Sequence, residues 1–337
     1  MKVLHRELLK KETQSVHAST IEFYKGRPVF AWFGGTREGK SDCCIYVQTK
    51  DKVFRLNNEF PFVNPITGEF RFPCWNPILV ANNREGKLFL FFKAGTFCDR
   101  WSTFYLDISN LYDEGFDINT VKRNELSAGL NFAVKTKPIL VVDACTDDLY
   151  CYCGSSVETF NSWAAFLEIY KVEDSEFIFQ ERSRPITPPK KHDTFKGVIQ
   201  PALCIGEGGT LHMFLRSATG MGKIYHTTKI DSIKLNIGEL ETLDINNPNS
   251  SVDVEFLDGF YYLVHNDSSR WRYPLIISKL DTSLNKVDKL VLKSNRDLNE
   301  EMLTPEFSYP YMVLKDGCFH ITYTVGRNNI EYNIVEV

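Results

Sequence analysis

Residues 17–42, HASTIEFYKGRPVFAWFGGTREGKSD, combine the side chains of proton transfer and anion binding with a hairpin. Two β-like runs, 20–23 and 28–33, are joined by Lys25-Gly26; Gly34-Gly35 then leads into Arg37, Glu38 and Asp42. Histidine titrates near neutral pH. An arginine fork matches a carboxylate. Loops beyond strand ends are where binding residues collect. His17 is therefore read as a site group, against a satisfied structural histidine. Arg37 is read as an anion ligand, against an ion pair with Glu38 or Asp42. Lys93, at the end of LFLFFKAG, is a second candidate anion ligand. Trp75, Trp101 and Trp271 offer faces for stacking on a ligand or for core packing.

These residues need strands to position them. Long helical periodicity is almost absent, and short apolar runs recur in pairs across Gly- or Asp-bearing turns, as hairpins require. After the first pair come 77–80 with 88–93, 138–142 with 150–153, 201–205 with 211–215, 252–257 with 260–264, and 310–314 with 318–324. Further strand-like runs follow at 43–47, 103–106, 164–170, 224–228, 275–280 and 330–335. Six units of roughly four strands predict an all-β, six-bladed β-propeller, a single domain over residues 1–337. A pair of β-sandwiches is the alternative. Residues 3–9 supply a strand to close the ring against the last blade.

Innermost strands of a propeller start at one rim of the channel. Residues 16–18, 75–77, 135–137, 199–201, 249–251 and 308–310 therefore converge. This brings His17, Asn76, Gln200, Asn249 and Tyr309 to one mouth.

Composition narrows the function. The 337 residues are 43% hydrophobic and 24% charged, with 25 Phe and 15 Tyr, as in a globular strand-rich protein. A net charge of −4 gives no basic face for nucleic acid. No window approaches a membrane span, and MKVLHRELLKKETQ lacks a secretory core, so the expectation is a cytoplasmic protein. Nine cysteines, an odd number in a long chain, are expected to be reduced. Cys151 and Cys153 share one strand face, but no second Cys or His pair stands at zinc spacing. Neither a metal nor a cofactor is expected.

The segments HAST at 17–20, WFGGTREG at 32–39, WNPIL at 75–79, IQPAL at 199–203, LRSATG at 215–220, NPNSSVDV at 247–254 and EFSYP at 306–310 resemble the sialidase superfamily, in its BNR-repeat predicted neuraminidase branch. The resemblance covers essentially the whole chain and implies a six-bladed propeller. Its structural Asp-box turns survive as remnants at Thr228-Lys-Ile-Asp231 and Ser278-Lys-Leu-Asp281. It also implies three arginines on a sugar carboxylate, an Asp acid/base, and a Tyr nucleophile activated by Glu; sialidases are the known tyrosine exception among glycosidases. By that resemblance Arg216 and Arg270 are the second and third arginines and Asp42 the acid/base. Tyr309 is the nucleophile, with Phe307 an alternative alignment that removes it. His17 stands in place of the first arginine, with Arg37 a substitute. Gln200 stands in place of the activating Glu, with Glu306 a substitute. An amide accepts no proton as a base, so Gln200 can only orient. The implied function is hydrolysis of a terminal acidic sugar of a glycan. The alternatives are a uronate-glycan lyase using His17 and Tyr309, or a non-catalytic sugar-binding propeller. The sequence leaves the oligomeric state open.

Overall fold

In the computed structural model, residues 1–59, 72–188, 196–229 and 235–337 are described. They form six four-stranded antiparallel sheets. The first blade is β2 (Ser15–Tyr24), β3 (Arg27–Gly35), β4 (Cys44–Gln48) and β5 (Val53–Leu56). The second is β6 (Cys74–Asn82), β7 (Lys87–Ala94), β8 (Ser102–Asp107) and β9 (Asn124–Glu125), and the third β10 (Ile139–Val142), β11 (Leu149–Glu158), β12 (Trp163–Glu173) and β13 (Glu176–Arg182). The fourth is β14 (Val198–Ile205), β15 (Leu211–Ser217), β16 (Lys223–Thr228) and β17 (Glu241–Asn246), and the fifth β18 (Asp253–Leu257), β19 (Phe260–Asn266), β20 (Leu275–Leu280) and β21 (Lys286–Lys293). The sixth is β22 (Phe307–Lys315), β23 (Cys318–Val325) and β24 (Asn329–Glu336), with β1 (Lys2–Leu8) as its outer strand. β1 runs antiparallel to β24, so the ring closes between the two ends of the chain, as residues 3–9 predict. No helix among the described residues is long and apolar enough to cross a membrane.

Alternating apolar residues on each strand give every blade two buried faces, and the core lies between blades. Tyr24, Phe33, Leu90, Phe92 and Leu106 fill one such seam. Tyr262, Val264, Phe319 and Ile321 fill another. A third contains Phe30, Phe89, Phe91, Phe132, Tyr170 and Phe177, with Phe91 and Phe132 stacked at 3.8 Å.

Four innermost strands share one irregularity at the channel mouth. The register slips between His17 and Thr20, Trp75 and Ile78, Ile199 and Ala202, and Ser308 and Tyr311. At each slip one residue has positive φ: Ala18 (54°), Asn76 (40°), Gln200 (54°) and Tyr309 (55°). Such a bulge adds one residue, kinks the strand and re-aims a side chain. In three of the four the next residue is proline, which has no N–H to waste where the ladder is broken. Phe132 (53°) and Asn249 (65°) have the same sign just ahead of the third and fifth innermost strands.

Below the mouth the channel is plugged. Lys137 Nζ lies 3.1 Å from Asp253 Oδ1 and 3.2 Å from Glu255 Oε1, and donates to the carbonyls of Val254 (2.7 Å) and Met312 (2.9 Å). Burial opposes its charge, but the two carboxylates outweigh burial and keep it protonated. Lys135 Nζ donates to the carbonyls of Ser19 (3.4 Å) and Pro310 (3.3 Å), and burial lowers its pKa to about 7. Burial raises Glu22, on β2, to about 7.

Candidate functional site at the channel mouth

Tyr309 is the centre of the mouth. Its bulge sets the ring 4.1 Å, centroid to centroid, from His17, while Arg216 Nη1 donates to its hydroxyl at 2.8 Å. The guanidiniums of Arg216 and Arg272 lie 5.5 and 5.7 Å from the ring centroid, and Lys135 Nζ lies 5.8 Å away. The phenol is thus ringed by cations, with Arg216 donating directly to its oxygen.

Arg216 comes from the end of β15. Its Nη1 also donates to Gln200 Oε1 at 2.9 Å and its Nε to Asn249 Oδ1 at 2.9 Å. Asn249 Nδ2 in turn donates to Thr219 Oγ1 at 2.8 Å. Three bulge or rim residues, Gln200, Asn249 and Tyr309, thus fix one guanidinium. Arg272, on the β19–β20 connection, lies 3.4 Å from Glu306 Oε2 and donates to the Asn249 carbonyl at 3.0 Å. Arg327, at the tip of the β23–β24 turn, donates from Nε to Glu306 Oε1 at 2.5 Å and from Nη1 to Glu38. Ser308 Oγ completes the Glu306 shell at 2.6 Å. Three guanidiniums thus meet at the mouth, two of them paired with Glu306 and one of those also with Glu38.

His17 is buried on β2 with Nδ1 2.8 Å from Thr324 Oγ1 and Nε2 without a hydrogen-bond partner. Burial lowers its pKa well below the usual value, helped by Arg327, Arg272, Lys135 and Arg216. It is a neutral imidazole beside a tyrosine.

The other sequence-derived residues fall in different places. Asn76 is buried in the second-blade bulge. Arg37 is exposed on the β3–β4 loop, where its carbonyl accepts from Lys40 N. Asp42, on the same loop, accepts from Thr36 N (2.9 Å) and Thr36 Oγ1 (3.2 Å), a turn-closing arrangement. Lys93 is fully buried; Nζ donates to the Asn131 carbonyl, and burial lowers its pKa to about 7. Arg270 is exposed, 4.7 Å over the Trp271 ring. Trp75 donates to the Gly95 carbonyl at 2.9 Å and packs against Trp101 and Phe33. Ser278 Oγ pairs with His265 Nε2 at 2.9 Å, and Asp281 caps the backbone of Ser283 and Asn285. Asp231 lies outside the described residues. No group of three or more His, Cys, Asp or Glu is placed to hold a metal ion among the described residues.

Three mouth residues escape sequence reading. Arg272 lies two positions beyond the candidate Arg270. Arg327 sits in what reads as an ordinary hairpin turn. Glu158 ends β11 and has a buried Oε1 with no partner. Burial raises its pKa; Arg216 opposes the rise and Glu38 adds to it.

Six four-stranded blades around a plugged channel with a cationic mouth make this a β-propeller of sialidase type. The family model described as BNR repeat-like domain matches residues 26–321, and the chain belongs to that family. Its fold is similar to that of a protein of unknown function from Dyadobacter fermentans (TM-score 0.69, 12% identity, covering 100% of this chain and 99% of that one). It is similar also to a Hadza microbial sialidase (TM-score 0.66, 9% identity, 96% of this chain) and to Trypanosoma rangeli sialidase (TM-score 0.60, 12% identity, 99% of this chain). This chain spans 66% of the Hadza protein and 58% of the Trypanosoma one. An α-L-arabinofuranosidase from Fusarium graminearum has the same fold (TM-score 0.59, 10% identity, 96% of this chain and 93% of that one). No curated protein matches the sequence.

Proposed function

We propose that the mouth binds the carboxylate of a terminal acidic sugar and that the protein hydrolyses the glycosidic bond of that sugar through Tyr309. The observation that carries this reading is the guanidinium cluster around the Tyr309 hydroxyl. Arg216, Arg272 and Arg327 gather there, and Arg216 has no carboxylate partner among the described residues, which suits an anionic sugar. Arginine forks supply directed donors to a carboxylate. Tyr309 attacks the anomeric carbon, its oxygen oriented by the Arg216 Nη1 donor. The unpartnered Nε2 of neutral His17 receives the phenolic proton. Glu306 holds Arg272 and Arg327 in place, and Gln200 orients Arg216. A neutral tyrosine nucleophile avoids bringing a second carboxylate against an anionic substrate.

One observation favours a lyase as the second reading. His17, held in the neutral form by burial with an unpartnered Nε2, has a free lone pair that can accept a proton from beside a neutralised carboxylate. Incubation with sialyl and uronate glycans separates the two. Hydrolysis releases a free acidic sugar with no new ultraviolet absorbance, as the first reading requires. A lyase gives an unsaturated, absorbing product. Binding with neither product leaves a carbohydrate-binding propeller and sinks both enzyme readings.

A further inference from the structure

The strand β11 is ten residues long, and its last residue, Glu158, reaches the mouth. It pairs with Trp163 across the β11–β12 hairpin, and the Trp163 ring lies 5.7 Å from the Arg216 guanidinium that holds Tyr309. Its backbone carbonyl accepts from Cys98 Sγ at 3.6 Å, which fastens the hairpin end to the second blade. One carboxyl oxygen, Oε1, is buried and unpartnered. A buried polar atom without a partner is costly unless it serves something absent from the free protein.

We propose that Glu158 is the general acid and base of the hydrolysis, donating the proton to the leaving oxygen. This rests on the hydrolase reading above. Asp42 is turned to its own loop by Thr36. Glu38 is tied to Arg327, whereas Glu158 lacks any such ion pair among the described residues and is shifted toward its protonated form by burial. A carboxyl that burial holds toward its protonated form, with no ion pair to claim it, is suited to act as the acid. The groups acting on Glu158 are Arg216 from β15 and Glu38 from the β3–β4 loop, and Glu158 in turn acts on Cys98.

In the first step the Tyr309 oxygen bonds to the anomeric carbon as the glycosidic C–O bond breaks. The Tyr309 proton passes to His17 Nε2 and the Glu158 proton to the departing oxygen. In the second step Glu158, now a carboxylate, takes a proton from water. The water oxygen displaces Tyr309, which recovers its proton from His17. The sum is one glycoside and one water giving two hydroxyl compounds.

The test compares Glu158→Gln with the unaltered protein on two ketosides of N-acetylneuraminic acid, one methyl and one 4-methylumbelliferyl. The aryl group leaves without protonation. General acid catalysis is worth roughly 10²–10⁴-fold. Loss of that size on the methyl ketoside, with less than about tenfold loss on the aryl ketoside, supports the proposal. It also predicts that the alkaline fall in the methyl-ketoside rate disappears in the variant. Equal losses on both substrates, or no loss on either, overturn it. Glu158→Asp, with a thermal midpoint matched to the unaltered protein, guards against misfolding: partial recovery on the methyl ketoside alone is expected, and recovery on neither counts against the role. If the unaltered protein cleaves neither ketoside nor any other acidic glycoside, the hydrolase reading fails first, and this assignment with it.

Discussion

The Arg216 guanidinium donates to the Tyr309 hydroxyl across 2.8 Å, joining the fourth blade to the sixth at the rim of the channel. Both residues are presented by irregularities of the inner sheet. Tyr309 stands in the β22 bulge, and Arg216 pairs with Ile199 beside the β14 bulge. The tyrosine is therefore held in a fixed electrostatic setting before any ligand arrives.

Replacing Tyr309 by Phe removes the hydroxyl and keeps the ring against His17 and the cations. Turnover is expected to fall by at least about 10³-fold, the order of a lost covalent catalyst, while binding of the acidic sugar changes little. Single-turnover kinetics and calorimetry on the same preparation check both halves.

Arg272 and Arg270 are two residues apart and have opposite expectations. Arg272→Met removes a half-buried fork, and acidic-sugar affinity should drop by about 10–100-fold, the worth of a hydrogen bond to a charged group. Arg270→Ala, at an exposed site over Trp271, should change affinity by less than about twofold. Equilibrium titration of the two variants decides whether the 272 or the 270 position carries the carboxylate.

Gln200→Glu places a carboxylate against Arg216 and competes with the substrate for that guanidinium. Affinity for an acidic sugar should weaken by about tenfold or more, a loss of the size expected when a close charge pair is competed for. Affinity for the corresponding neutral amide should not weaken. Paired titrations of acid and amide report the difference.

Burial lowers the pKa of five histidines, His17, His212, His226, His265 and His320. Burial lowers His226 and His265 to about 4 and His17 well below its usual value. Between pH 6.5 and about 4 the unfolded chain takes up protons at these positions and the folded chain does not, so stability is lost as pH falls through that window. Each fully shifted buried histidine contributes up to roughly 3 kcal/mol across it. Glu22 acts oppositely: its folded pKa of about 7 exceeds the unfolded value, so its contribution is present at low pH and is lost as pH rises through 7. Urea denaturation at pH 7 and pH 4.5 should show the histidine loss in the native protein. His265→Gln should flatten it, and Glu22→Gln should steepen it by removing the opposing group.

Much of the fold was written in the chain. Paired apolar runs across Gly and Asp turns yielded six blades, and residues 3–9 yielded the closing strand. The mouth was legible where proline follows a polar residue, as at Asn76, Gln200 and Tyr309, because the bulge and the missing N–H belong together. Other mouth residues were hidden for physical reasons. Arg270 and Arg272 lie on a connection, where the two-residue period of a strand no longer tells which side chain turns inward. Arg327 lies in a tight turn whose sequence says only that the chain reverses. Glu158 was hidden by strand length: the apolar run marks residues 150–153, but hydrogen bonding carries β11 on through Gly-Ser-Ser-Val-Glu to the rim. Asp42 had the right charge on the right loop, and its orientation toward Thr36 depended on loop geometry that no spacing reveals.

The measurement closest to the central claim is a calorimetric titration of N-acetylneuraminic acid and of its C1 amide into the unaltered protein and into Arg272→Met. If the arginine cluster reads the carboxylate, the acid binds the unaltered protein at least about tenfold more tightly than the amide, and Arg272→Met removes that preference. Equal binding of acid and amide, or a preference that survives in Arg272→Met, would contradict it.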